Sequence, residues 1–336
     1  MKSVVIKKIA LAATLGLLAV QASAQVLKIA TLSPDGSGWM TAMRAGADEI
    51  KTRTQGRVEF KFYTGGVMGT DRAVLSKMKI GQLQGGAVTA GSLTEYAKDV
   101  EVYSTPLKFK NFDEVDYVRG KMDGQLSHML DDAGLVSFGF AEGGFAYAMS
   151  KNAPVPSVEA LRGEKVWIPD NDRQSEEALH AFGVTPVPLG LADVLTSLHT
   201  GIVNTVASSP IATLALQWHT EVKYITDLPI EYFVGTLTID KKVFDRLSPA
   251  DQAVVREVMT REFKQIDQQN RKDNVSAYNA LLKQGIKPVK PSAAEQVEWA
   301  HYGDLASQRI LSAGIESPQI LGEMDGYLKS YRAGQK

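Results

Sequence analysis

The stretch GEKVWIPDND, Gly163 to Asp172, sets a tryptophan in a short strand-like run and follows it with Pro169, Asp170, Asn171 and Asp172. An indole offers a large face for stacking and one N–H donor. Carboxylates beside an amide suit a hard cation. Trp167 therefore has three readings: a core plug, a membrane contact, or one wall of a binding site. The acidic turn has two, a cation site or a helix cap. Only two carboxylates are present and no calcium-loop Gly and Glu follow them, which favours the cap.

Other chemistry is sparse. The motifs of a serine-hydrolase elbow, a phosphate-binding P-loop, a zinc-protease helix and a dinucleotide turn are all missing. His128, His180, His199, His219 and His301 stand singly on helical patterns, as packing or surface residues do. No nucleophile is paired with a base, so catalysis is not expected, and neither a cofactor nor a metal is implied.

The elements that would position Trp167 can be read from periodicity. Val26–Leu32 is β-rich, and Met40, Met43, Ala47 and Ile50 follow at helical spacing before RVEFKFY alternates like a strand. Val74, Leu75, Met78 and Ile80 suit a second helix and residues 87–90 a buried strand. Further strands are expected from Gly134, Tyr147, Glu164 and Val203, with helices between most of them, which predicts an α/β fold with mainly parallel sheets. From Ser248 there is no breaker until Gly285. Ser248 reads as an N-cap, Pro249 as the first helical residue and Asp251 as completing a capping box. Such a helix of about 35 residues is roughly 50 Å long, enough to cross two lobes flanking a central cleft.

In parallel α/β sheets ligands sit beyond the carboxyl ends of strands. The candidate ligand-binding residues there are Thr31, Leu32, Gly91, Ser92, Ala146, Tyr147, Trp167, Pro169, Asn171, Leu189, Leu191, Ser208 and Ser209, with Trp39 just past the first strand-end loop.

The chain has 336 residues, 44% hydrophobic and 22% charged, an ordinary globular composition with room for two lobes. Its first 24 residues differ. Lys2, Lys7 and Lys8 precede an apolar run from Ile9 to Val20 and small residues to Ala24, which reads as a cleavable secretory leader. The run is too short for the roughly 20 residues of a membrane span. Without those three lysines the 37 basic residues become 34 against 38 acids, a formal charge of −4. That balance argues against a nucleic-acid partner. With no cysteine there is no disulfide and no lipid anchor on a thiol, so the mature chain is expected free in the periplasm.

Several segments together carry a resemblance. YTGGVMGTDRAVLSKMKIGQLQGG, LRGEKVWIPDND, GVTPVPLGLADVLTSLHTGIVNTVASSP and QWHTEVKYIT occur in the order and spacing of the DctP-type substrate-binding proteins of TRAP transporters. The resemblance covers about Val26 to Tyr331. It implies an extracytoplasmic receptor that closes two α/β lobes around a small, usually carboxylated, solute and delivers it to ion-driven TRAP membrane permease subunits. It also implies one lobe from residues 25–143 plus 232–272 and a second from residues 144–231 plus 273–336, joined by crossing strands and the long helix.

The departures from that pattern are a matched set. Trp167 stands where the family carries a carboxylate-gripping arginine, and Ala146 where a second arginine is frequent. Ser208 or Ser209 replaces a polar turn residue, Leu191 an aromatic, and Gly91 an acid in an early strand-end loop. A buried carboxylate without a cation loses several kcal/mol, so a hydrophobic, aromatic or amphipathic acid is expected in place of a small dicarboxylate, its head held by backbone N–H groups, Ser208, Ser209 or Asn171. GQLQGG and PLGL resemble a subgroup linked to tetratricopeptide-repeat periplasmic partners. The alternatives are a receptor that presents its ligand to a membrane signalling sensor, and a conventional C4-dicarboxylate binder.

Overall fold

A computed structural model describes residues 24–170 and 172–335. Residues 1–23 of the expected leader, and Asn171, lie outside the described residues. The chain opens with β1 (Gln25–Thr31), α1 (Gly38–Arg53), β2 (Val58–Tyr63), α2 (Asp71–Lys79) and β3 (Gly85–Thr89). Two 3₁₀ segments, Ala90–Leu93 and Lys98–Ser104, lead to α3 (Phe112–Asp132) and the 16-residue strand β4 (Leu135–Ser150). Then come α4 (Val158–Arg162), β5 (Trp167–Pro169), α5 (Arg173–Ala181), β6 (Val187–Leu189), α6 (Val194–Thr200), β7 (Thr205–Ser208), α7 (Pro210–Ala215) and β8 (Tyr224–Thr226). The chain returns through β9 (Glu231–Asp240) and α8 (Lys241–Phe244) to α9 (Pro249–Lys283), β10 (Lys287–Val289), α10 (Ala293–Ser312) and α11 (Pro318–Gly334).

The start of the chain forms as its pattern predicts. Ser37 accepts from the Met40 N–H to cap α1, and Met40, Met43, Ala47 and Ile50 are its buried stripe. β1 pairs in parallel with β2 and β3. The sheet is nevertheless mixed, because β9 runs antiparallel to β3 and β4, and β4 antiparallel to β7 and β8. The expectation of mainly parallel pairing fails at these strands, whose direction a period-two pattern does not encode.

β4 is also longer than its sequence suggests. The GGFA stretch at Gly143 and Gly144 reads as a turn between strands from Gly134 and Tyr147, but Gly144, like Gly139, takes positive φ, 100° and 99°, and the chain bulges and continues. As a result β4 pairs with β9 from Leu135 to Ala146 and with β7 from Tyr147 to Ser150. One strand thus belongs to the sheets on both sides of a cleft.

α9 makes the second bridge. Ser248 accepts from the Asp251 N–H, but the Asp251 carboxylate does not close the expected capping box; it takes two bonds from Arg57, at 2.8 and 3.1 Å. Val255, Val258, Met259, Phe263 and Ile266 pack into the core under β1, while Leu281 packs with Trp167 and Trp218 in the core of the other lobe. Between these two apolar stretches the helix turns Asn270 and Asn274 toward β4. Asn270 donates to the Glu142 carbonyl at 2.7 Å, Asn274 donates to the Gly143 carbonyl at 3.2 Å, and the Asp267 carboxylate accepts the Glu142 N–H at 2.8 Å. These side chains satisfy the backbone groups that the bulge removes from the ladder.

The C-terminal helix departs from the expected lobe assignment of residues 273–336. Ile320, Leu321, Met324 and Leu328 of α11 pack in one cluster with Val115, Val118 and Met122 of α3, on the first lobe. α10 stays with the second lobe, where Trp299, Ala306 and Ile310 meet Leu161, Val166 and Phe182.

The bulge gives a test of this bridge. Asn270→Ala leaves a buried carbonyl without its donor and is expected to cost about 1–3 kcal/mol, read as a lower urea midpoint with an unchanged far-ultraviolet spectrum. An unchanged midpoint would show that the side chain does not support the strand.

Candidate functional site

A cavity of about 590 Å³ lies between the two lobes, beyond the carboxyl ends of β1, β3, β5 and β7. That size and position suit a small-molecule site. Of the residues expected there, Leu32, Gly91, Ser92, Ala146, Trp167, Pro169, Leu191 and Ser208 line it. Thr31, Trp39, Tyr147, Leu189 and Ser209 do not belong to the lining.

Each of those five has another task. The Thr31 hydroxyl accepts from the Ser33 N–H at 3.1 Å, and Ser209 caps α7 by accepting from the Ala212 N–H. Trp39 meets Phe263 edge-on at 5.4 Å, and Tyr147 meets Tyr278 at 5.7 Å. The Leu189 carbonyl accepts the Trp167 indole N–H at 3.0 Å.

Trp167 is at once core and wall. It is 7% exposed, packs at 75° to Trp218 with centroids 5.2 Å apart, and joins the cluster of Val194, Leu198 and Val206. Its N–H is already engaged, so only apolar ring surface is left for the cavity. The acidic turn behaves as a cap: Asp172 accepts from the Ser175 N–H and hydroxyl at 2.9 and 2.7 Å and opens α5.

The charged lining was not foreseen. Glu101, from the second 3₁₀ segment, is 8% exposed and faces the cavity, and its carboxylate makes no hydrogen bond or ion pair among the described residues. It fills the space beside Gly91, where a Cβ would collide with the Glu101 carboxylate. An acid thus stands at this loop although residue 91 cannot supply it. Glu231 opens β9 directly across the ladder from Ala146, so the two side chains share a face. The position where the resemblance implies a second arginine therefore holds a methyl group opposite an acid.

Burial raises each of these carboxyls. Burial pushes Glu101 well above the ordinary carboxyl range, helped by the charges of Asp172, Glu231 and Glu316. Burial, with Asp172 nearby, moves Glu231 up to about 8. Burial raises Asp172 against the opposing bonds from Ser175. Asp71, at the start of α2, is raised by burial against two 3.0 Å bonds from Thr89, and its other oxygen has no partner among the described residues. The cations of the lining, Arg72 and Lys79, have side chains 63% and 56% exposed and both lie near Glu95. Nothing in the local sequence marks Glu101 or Glu231 as cavity residues. The available signal was only an acid between apolar residues, VEVY, and another at a strand start, EYFV.

Two lobes bridged by strands and a helix, with a cavity between them, define a cleft-type binding protein. Residues 29–311 match the family model DctP, bacterial extracellular solute-binding protein, family 7, and the chain belongs to that family. The family is one of substrate-binding receptors, not enzymes, and its location is the periplasm. Among the described residues no helix is long and apolar enough to cross a membrane.

The fold matches a TRAP periplasmic solute-binding protein from Ochrobactrum anthropi, at TM-score 0.80, 24% identity, and coverage of 94% of this chain and 98% of that one. It also matches one from Roseobacter denitrificans with bound β-D-glucuronate, at TM-score 0.83, 16% identity, and coverage of 90% and 99%. In sequence the chain is 22% identical over 258 residues, 73% of this chain and 78% of the relative, to the sialic acid-binding periplasmic protein SiaP of Vibrio cholerae. An uncharacterised protein of Salmonella typhimurium, YiiZ, is 25% identical over 220 residues, 62% of this chain and 64% of the relative. A solute-binding protein of Verminephrobacter eiseniae matches over a similar share, 62%, of its own length.

The raised carboxyls have a measurable consequence. A group protonated in the fold at a pH where the unfolded chain releases the proton contributes stability that is lost as pH rises through its folded value. Glu231 and Glu316, moved to about 8 and about 7, should therefore make the ligand-free melting temperature fall between about pH 5 and 8. Paired acids with lowered values, such as Asp251 and Glu114, act in the opposite sense and only at lower pH. Glu231→Gln should flatten the slope; a melting temperature that rises across this range would contradict the assignment.

Proposed function

We propose that this chain is the periplasmic receptor of a TRAP-type transporter and takes a small solute with a predominantly apolar body. In this reading the lobes close on the solute and present it to the membrane permease. The observation that carries the solute class is the lining itself. Leu32, Leu75, Trp167, Leu191, Trp218 and Phe233 supply its walls, while Trp167 and Ala146 stand where the family pattern implies arginines.

The energetics support the same choice. Each CH₂ transferred from water into such a wall gains about 0.8 kcal/mol. An ionised carboxylate buried without a cation costs several kcal/mol, and the cations of the lining, Arg72 and Lys79, are solvated at the mouth. The glucuronate found in the Roseobacter denitrificans neighbour is therefore a poor model for the solute here. The expected amphipathic acid keeps the support of its apolar body, but its head finds no buried cation among the described lining residues.

Thermal-shift titration tests the class. Benzyl alcohol, hexanol and similar neutral apolar solutes should raise the melting temperature, by an amount that follows RT ln(1 + [L]/Kd), while glucuronate and succinate should not. Leu191→Asn, on the wall but only partly buried, should weaken apolar binding by roughly tenfold, about 1.4 kcal/mol, and leave the ligand-free melting temperature in place. Stabilisation by the sugar acid or the dicarboxylate alone would overturn this reading.

A further inference from the structure

The cavity carries carboxyls from both lobes, and its two lining cations, Arg72 and Lys79, are exposed and lie near Glu95. Glu101 comes from the first lobe, Asp172 from the start of α5 in the second, and Glu231 from the start of the crossing strand β9. Asp172 is spoken for by Ser175. Glu101 and Glu231 have no hydrogen-bond or ion-pair partner among the described residues, and Glu101 is 8% exposed with its carboxylate in the cavity. Asp71, also in the lining, has one buried oxygen equally without a partner. Buried polar atoms in proteins are otherwise nearly all satisfied, so the Glu101 carboxylate, nine-tenths buried in the lining without a protein partner, is an open acceptor for a ligand, with the partly buried Glu231 beside it.

What would satisfy them is a donor with positive charge. The lining groups that bear charge are Asp71, Glu101, Asp170, Asp172 and Glu231 with Arg72, Lys79 and Glu95 toward the mouth, and Glu316 stands close to Glu101. The acids outnumber the bases, and the bases are occupied by Glu95 in solvent.

Resting on the apolar-solute reading above, we propose that the solute carries a protonated amine, which Glu101 and Glu231 receive at the floor of the cavity while its apolar body lies against Trp167, Leu191 and Trp218. An ammonium group supplies three N–H donors and no acceptor, which fits a floor of vacant acceptors. Charge-assisted bonds of this kind are about twice as strong as neutral ones. An anionic head would face the same acids and would need them protonated. Binding of the amine lowers the proton affinity of the carboxyls, so it releases protons, whereas binding of an anion takes them up.

The test is isothermal titration at pH 7.5 with probes that share a body and differ in the head: 2-phenylethylamine, 2-phenylethanol and 3-phenylpropionate, with their hexyl counterparts and glucuronate. The amines should bind at least tenfold more tightly than the alcohols and release protons, seen as a buffer-dependent heat. Glu101→Gln and Glu231→Gln should each cost the amines tenfold or more and leave the alcohols within twofold. Both variants should fold, because glutamine has the shape of the protonated carboxyl and carries no charge, and the ligand-free melting temperature at pH 8 reports this. Alcohols binding as tightly as amines, or amines indifferent to both substitutions, would overturn the proposal and leave the apolar reading standing. Carboxylates binding most tightly, with proton uptake, would also overturn it in favour of protonated acids that donate to an anion. Glucuronate binding alone, or no binding by any probe, would overturn both readings.

Discussion

The structure depends on how β4 passes from one lobe to the other. At the crossing it bulges, and the ladder there would leave buried peptide groups without partners. α9 supplies them from Asp267, Asn270 and Asn274. A charged network locks the same place. Arg119, 7% exposed, donates to Asp123 at 3.0 Å, Asp267 at 2.7 Å, the Phe140 carbonyl at 2.8 Å and the Tyr232 hydroxyl at 3.1 Å. Glu142, fully buried, accepts from Arg271 at 2.9 Å and from Tyr232 at 3.2 Å. Removing one member of such a buried set costs roughly 3–5 kcal/mol, because its partners are left charged and dry. The register of β4 on β9 is therefore fixed, and with it the Ala146–Glu231 pair that forms the cavity floor.

Two electrostatic environments lie side by side along these strands. At the crossing each buried acid has a guanidinium within bonding distance, so the charges offset one another and hold the architecture. Glu231, at the start of β9, and Glu101, in the second 3₁₀ segment, have none among the described residues, and burial raises both. The matched acids at the crossing belong to the architecture; in the proposed reading the unmatched acids of the cavity are left for a solute.

Much of the framework was legible because local rules specify it. The opening β1–α1–β2 unit follows from periodicity, and α9 follows from Ser248, Pro249 and the lack of a breaker before Gly285. The full length of β4 was not legible, because Gly143 and Gly144 look like a turn and only tertiary support from α9 lets the strand bulge and continue there. The site was legible at strand ends, where Leu32, Ala146, Trp167 and Ser208 reach the cavity. Glu101 was hidden for a different reason. It sits in a 3₁₀ segment whose side chains follow neither period two nor 3.6, and its meaning depends on Gly91, ten residues away, having no side chain. Trp167 stayed ambiguous in sequence because a core plug and a cleft wall require the same residue, and in the fold it serves as both.

The placement of the acids bears on how the two lobes come together. Glu101 and Asp172 come from the two lobes, and the charge of Asp172 helps raise Glu101. In the proposed reading, where the lobes close on a solute, this repulsion opposes closure of an empty receptor unless the acids take up protons. A solute shifts the open and closed populations only by as much as its interactions differ between them. Apolar walls alone reward any greasy body of suitable size, whereas the opposed carboxyls reward only a body that also cancels their charge. In that reading selectivity and closure depend on the same oxygen atoms, and the missing arginines matter to both: a cation built into the wall at residue 146 or 167 would neutralise the acids in the absence of any solute.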